Sequence, residues 1–177
     1  MSFDLALRLT GLCLGLVFIQ QSLEHLRGPR ADRLLFAPRI AFAGLLAAGI
    51  LVPFALAGLA ALSLLILRRF RGPYNGGADR MGLLALWCLL AAHLLPEPKW
   101  REIAFGYLGA QLVLSYFISG WVKVVNPDWR SGRALRDVFL FSAYPVAENL
   151  RTLATRPRLL FAASWAEMLL ELALPLT

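Results

Sequence analysis

Between Ile40 and Leu67 the chain runs for 28 residues without a charged side chain. As one helix this run would measure about 42 Å, well beyond a bilayer hydrocarbon core of about 30 Å. It is not alone, because Leu5 to Leu26, Met81 to Leu95, Ile103 to Val122 and Leu159 to Leu176 are also predominantly apolar. With 59% apolar residues and a mean hydropathy of +0.64 over 177 residues, the chain is too apolar for a soluble domain of this length. The expected fold is all-α, a polytopic helical bundle in a membrane.

How many segments it has turns on Pro53, near the middle of the long run. One tilted, kinked helix and a tight hairpin of two shorter helices both fit the length. The basic residues decide between them. Residues 27 to 39 and 68 to 80 hold four arginines each, and a single crossing would put them on opposite sides. A hairpin puts both links on the cytoplasmic side, together with the seven basic residues between Lys123 and Arg158, out of 18 in the chain. The expectation is six membrane segments, the two around Pro53 short, with both termini outside the cytoplasm. The net charge of +7 and pI near 10.2 then reflect topology, and nucleic acid is not implied.

Cys13 and Cys88 each lie within an apolar run, where a thiol behaves as a small hydrophobe, and no metal-ligand spacing occurs. The first span has neither a basic flank nor a small-residue cleavage site, so it reads as an anchor. Gly11 and Gly15, and again Gly106 and Ala110, form small-xxx-small pairs that admit a close helix neighbour. Gln20, Gln21, Glu24 and His25 read as the interfacial end of the first span, and His93 as a lone interfacial histidine.

The most informative stretch is Tyr116 to Leu135. It closes an apolar helix, puts Lys123 where hydrocarbon gives way to water, and offers Asn126 as an N-cap ahead of Pro127 at the first helical position. Trp121 and Trp129 flank the lysine. Two readings stand side by side: a lysine snorkelling within an aromatic belt, and a catalytic or ligand-gripping amine.

Tyr116-Phe117-Ile118-Ser119-Gly120, then Lys123, then Asp128-Trp129 and a glycine resemble the signature of the vitamin K-dependent γ-carboxylase family. Its small bacterial relatives are the HTTM, or horizontally transferred transmembrane, proteins. Residues 69 to 81, with Arg69, Arg71, Asn75, Asp79 and Arg80, resemble the loop those relatives carry before a following helix. The resemblance implies one HTTM-like transmembrane domain over residues 1 to 177 and, for Lys123, the role of base toward reduced vitamin K. The carboxylases carry Asn-Asn-His where this chain has Asn75-Gly76-Gly77, and a large lumenal domain after their helices. Carboxylation itself is therefore not expected here.

Residues 128 to 157 are too polar to span. Leu135, Val138 and Phe139, then Val146, Leu150 and Leu153, recur at helical spacing opposite Arg136, Asp137, Glu148 and Arg151, with Pro145 suited to start the second piece. The pattern fits an amphipathic helix pair in the membrane interface, or one packed on a partner protein. In the last span Glu167 and Glu171 stand four apart, on one helical face in apolar surroundings, where an unpaired acid is costly. The expected polar pocket joins Lys123, Glu167, Glu171 and Tyr116.

Three function classes follow. The first is an accessory or structural subunit of a larger membrane complex, such as a quinone-linked redox complex, in contact with lipids and other membrane subunits and without stand-alone activity. The second is a small membrane enzyme acting on a quinone-like or lipid substrate, with Lys123 as base. The third is a proton path through Glu167 and Glu171, which no inverted repeat supports. The resemblance implies the inner membrane of a bacterium.

Overall fold

A computed structural model describes residues 2–69, 77–141 and 151–176. Among the described residues every regular element is a helix and there is no strand. The helices are α1 (Phe3–His25), α2 (Arg30–Ala48), α3 (Val52–Arg69), α4 (Gly77–Leu94), α5 (Pro98–Val125), α6 (Pro127–Arg130), α7 (Arg133–Phe141) and α8 (Pro157–Ala173). Short 3-10 turns cover Thr152–Thr155 and Leu174–Leu176. Four segments are long and apolar enough to cross a membrane: α1, α3, α5 and Pro157–Leu176. The chain divides into two compact units, residues 1–109 and 110–177.

In the first unit, Ser2 caps α1 by accepting a hydrogen bond from the Leu5 N–H at 3.3 Å, and Asp4 complements the positive end of the helix. The buried stripe of α1 is Leu7, Gly11, Gly15, Phe18 and Ser22, at steps of three and four residues. It packs antiparallel on α2. A Cβ on Gly15 would lie 2.8 Å from the Ala43 carbonyl oxygen and 3.0 Å from Ala47 Cβ, so only glycine allows the two backbones to come this close. Gly11 faces Leu46 on the same helix.

The long uncharged run breaks at residues 49 to 51, not at its proline. Gly49 ends α2 in the left-handed region at φ 76°, and the Ile50 N–H returns to the Leu45 carbonyl at 2.9 Å, a helix-closing pattern glycine permits without penalty. Pro53 falls in the first turn of α3, where a missing N–H costs nothing. The flanking helices are not short: α2 has 19 residues and α3 has 18. The expectation of two short segments fails because α2 continues back to Arg30, through what the sequence reads as a basic link. It tolerates the charges because they are partnered. Asp32 accepts from Arg69 Nε at 2.8 Å, with Nη2 at 2.7 Å from the same oxygen, and Arg39 donates to Gln21 Oε1 at 3.1 Å while its guanidinium lies 4.2 Å over the Phe18 ring.

The core of this unit is aliphatic, with Leu46, Leu56, Leu59, Leu86 and Leu89 almost fully enclosed. Phe42 fits against Gly58, where a Cβ would lie 2.7 Å from its ring. Arg30, Asp32, Arg33 and Arg39 make α2 the least apolar of the four helices of this unit, whereas α4, despite Asp79 and Arg80 in its first turn, is about as apolar as α3.

In the second unit, the end of α5, the α6–α7 turn and α8 come together. Asn126 caps α6, its side chain accepting from the Asp128 N–H at 2.9 Å, with Pro127 at the start of the helix. The buried stripe of α8 is Leu160, Ser164, Met168 and Glu171. Of the two amphipathic helices expected over 128 to 157, α7 is present, with Leu135 and Phe139 partly covered and Arg133 and Arg136 exposed. Pro145, Val146, Glu148 and Leu150 lie outside the described residues.

Candidate functional site

The sequence places one ammonium near the end of α5 and two carboxyls a helical turn apart on α8, and in the second unit these three groups meet. Lys123 Nζ donates to Glu167 Oε1 at 2.5 Å and to Glu171 Oε1 at 2.8 Å. Ser119, one turn before the lysine, donates its hydroxyl to Glu171 Oε1 at 3.1 Å. The indole of Trp129 completes the enclosure, with its ring centroid 4.9 Å from Nζ, so the cation also meets an aromatic face. Side-chain exposures of 14% for Lys123, 12% for Glu171 and 40% for Glu167 order the three by depth: Glu167 is at the rim and the other two are inside. Glu171 Oε2 is buried and has no hydrogen-bond partner.

Two glycines of the same stretch permit this approach. A Cβ on Gly120 would lie 3.0 Å from both Glu171 Cβ and Leu172 Cγ, so α5 and α8 touch at the depth of the acids. Gly132, at φ 76°, turns the chain between α6 and α7, and a Cβ there would lie 2.8 Å from the Phe161 nitrogen. The turn is then fastened to α8 from the other side. Ser164 donates its hydroxyl to the Trp129 carbonyl at 2.6 Å, and Trp165 Nε1 donates to the Arg130 carbonyl at 3.1 Å. The Trp129 carbonyl also accepts the Gly132 N–H at 3.0 Å, so Ser164 adds a second bond to it, and the two side chains hold the α6 backbone beside the lysine.

Chemically, the arrangement is an ammonium shared by two carboxylates, formally one negative charge in excess. A general base needs a free lone pair, whereas this nitrogen donates its protons to two acids. The geometry is that of a tie between α5 and α8.

The other residues singled out from sequence fall elsewhere. Tyr116, seven residues before Lys123 on α5, is exposed, and no hydrogen bond joins it to the triad among the described residues. Of the loop residues, Arg69 pairs with Asp32, while Asp79 and Arg80 open α4; Arg71 and Asn75 lie outside the described residues. Gly106 and Ala110 are exposed, and a Cβ on Gly106 would meet nothing within 4 Å, so this small-residue face has no partner among the described residues. The described residues hold no group of three or more His, Cys, Asp or Glu that could bind a metal ion.

The sequence reading counts Arg39 only as one of the four arginines of the link over 27 to 39. Arg39 is 4% exposed, its Nε has no partner, and it shares the buried face of α2 with Asp32, Phe36, Ala43 and Leu46. The signal was present, since these five positions follow alternating steps of four and three residues.

Comparison with protein-family models, with curated proteins and with solved structures finds no match to this chain.

Proposed function

We propose that the chain is a six-segment, HTTM-like protein of a bacterial inner membrane that serves as an accessory subunit of a larger membrane complex. The observation that carries this reading is α5. It is 28 residues long, only 11% of its apolar window is buried, and Gly106 and Gly109 form a shallow face that no other part of the described chain fills. Lipid covers large apolar side chains well, but a strip of small residues is suited to a second helix, whose backbone can then approach closely. The engagement of Lys123 by two carboxylates supports a subunit over an enzyme, because it occupies the one amine that the family resemblance marks as a base.

The test is purification from the native membrane in mild detergent, followed by native mass spectrometry. Other membrane polypeptides at fixed stoichiometry are expected, and a single chain carrying only lipid would refute the subunit reading.

The six segments comprise α1 to α5 and α8, with residues 27–39 and 68–80 and the stretch after Lys123 on the cytoplasmic side. Single cysteines at Arg27 and Lys99, both exposed, test this once Cys13 and Cys88 are replaced by alanine. An impermeant thiol reagent applied from the periplasm is expected to label position 99 and spare position 27. Equal labelling of both would sink the six-segment arrangement.

A further inference from the structure

The first unit contains a cavity of about 240 Å³ at the end where α1 begins and α4 ends. Its floor is Leu7, Leu46, Leu56 and Leu89, each at most 4% exposed. Its rim is polar, formed by the charged Asp4, Arg8 and Arg101 together with His93. We propose that this cavity binds the phosphate group of an anionic phospholipid.

Both guanidiniums are held in place by the fold. Arg8 donates to the Leu46 carbonyl at 3.1 Å and the Ala47 carbonyl at 2.5 Å, across the left-handed Gly49, whose absent Cβ would lie 3.0 Å from the guanidinium carbon. Arg101 Nε donates to the Ala92 carbonyl at 2.7 Å. Each arginine therefore caps the carbonyl end of a helix, α2 or α4. A guanidinium has five N–H donors, so both retain donors for an anion. The nearest acid does not use them up, because Arg101 Nη2 is 3.7 Å from Asp4 Oδ1 and the Asp4 side chain is 87% exposed. His93 Nδ1 donates to the Leu89 carbonyl at 2.8 Å, which leaves Nε2 uncommitted. Two fixed cations against one solvated acid make the rim net positive.

Size and surroundings favour a lipid as the source of the phosphate. At about 30 Å³ per water, the cavity has room for roughly eight waters, enough for a phosphate and its first carbons but less than a drug-sized molecule needs. The rest of the ligand must lie outside. Apolar surface is available there, since Leu5 and Leu9 flank Asp4 and Arg8 on α1, and Leu51 and Phe54 flank Val52 of the cavity wall, all four between 43% and 64% exposed.

The test uses the full chain, delipidated in detergent and titrated with phosphatidylglycerol, phosphatidylcholine or inorganic phosphate, with lipid retention read by native mass spectrometry and thermal unfolding followed in parallel. Both lipids present the same phosphodiester, but the net-positive rim repels the trimethylammonium of choline, so phosphatidylglycerol is expected to bind at least about tenfold more tightly than phosphatidylcholine, while inorganic phosphate leaves the unfolding temperature unchanged. Arg8→Gln/Arg101→Gln should abolish the preference. Because these arginines also hold helix ends, Val52→Phe, which narrows the cavity and leaves both in place, is measured beside it and should weaken phosphatidylglycerol by a similar factor. Equal retention of the two lipids, or a preference that survives Val52→Phe, overturns the site. Stabilisation by inorganic phosphate matching that by phosphatidylglycerol overturns the assignment to lipid.

Discussion

Replacing Lys123 by methionine is expected to lower the stability of the second unit by about 3–5 kcal/mol, the range for removing one partner of a buried ion pair. The side chain is similar in length, so the change leaves no large cavity and the effect is electrostatic. Glu171 loses the ammonium 2.8 Å from its Oε1 and keeps only the Ser119 hydroxyl, with its second oxygen already unpartnered. Glu167, at 40% side-chain exposure, can recover solvation and contributes the smaller share. The measurement is thermal or denaturant unfolding in detergent. A loss under about 1 kcal/mol would place the lysine among exposed pairs that contribute little.

Gly132→Val is expected to cost about 2–5 kcal/mol. A β-branched residue held at φ 76° adds roughly 1–2 kcal/mol of backbone strain. Its Cβ would then meet the Phe161 nitrogen at 2.8 Å and the Leu160 carbonyl carbon at 3.0 Å, backbone atoms that cannot rotate aside, for about 1–3 kcal/mol more. The consequence reaches the triad, because the turn at Gly132 holds Trp129 against α8 through Ser164 and Trp165. Loss of the near-ultraviolet circular dichroism of these tryptophans should accompany the drop in stability. A variant as stable as the parent would show that this turn does not sit on α8.

The legible parts of the fold are those where one residue type has one physical role. The long apolar helices follow from composition, and the Asn126–Pro127 helix start follows from capping chemistry. Pro53 marks the middle of the long apolar run, yet proline is harmless in a first helical turn and the left-handed Gly49 makes the turn instead. The four arginines between residues 27 and 39 read as a cytoplasmic link on the charge rule, yet α2 runs back through them to Arg30. Asp32 is paired with Arg69, 37 residues away, and Arg39 with Gln21, 18 residues away, and no local pattern announces such pairs.

The site divides in the same way. That a lysine and two acids at i and i+4 need partners follows from the cost of isolated charge. That Trp129 covers the lysine does not, since it depends on the path of the α6–α7 turn. Ser115, exposed, and Ser119, hydrogen-bonded to Glu171, stand on the same side of α5. Only the close approach allowed by Gly120 decides which of them is used.

The central claim is that Lys123 is a tie between α5 and α8, with its charge committed to Glu167 and Glu171. The most direct measurement is a double-mutant cycle with Lys123→Met, Glu171→Gln and the pair combined, each followed by unfolding in detergent. Removing the buried acid along with the ammonium leaves only Glu167 at the rim, so the double variant should regain part of the stability lost by the lysine variant, with a coupling of about 1–3 kcal/mol. Strict additivity of the two losses would show that the three groups do not act as one site, and would contradict the account.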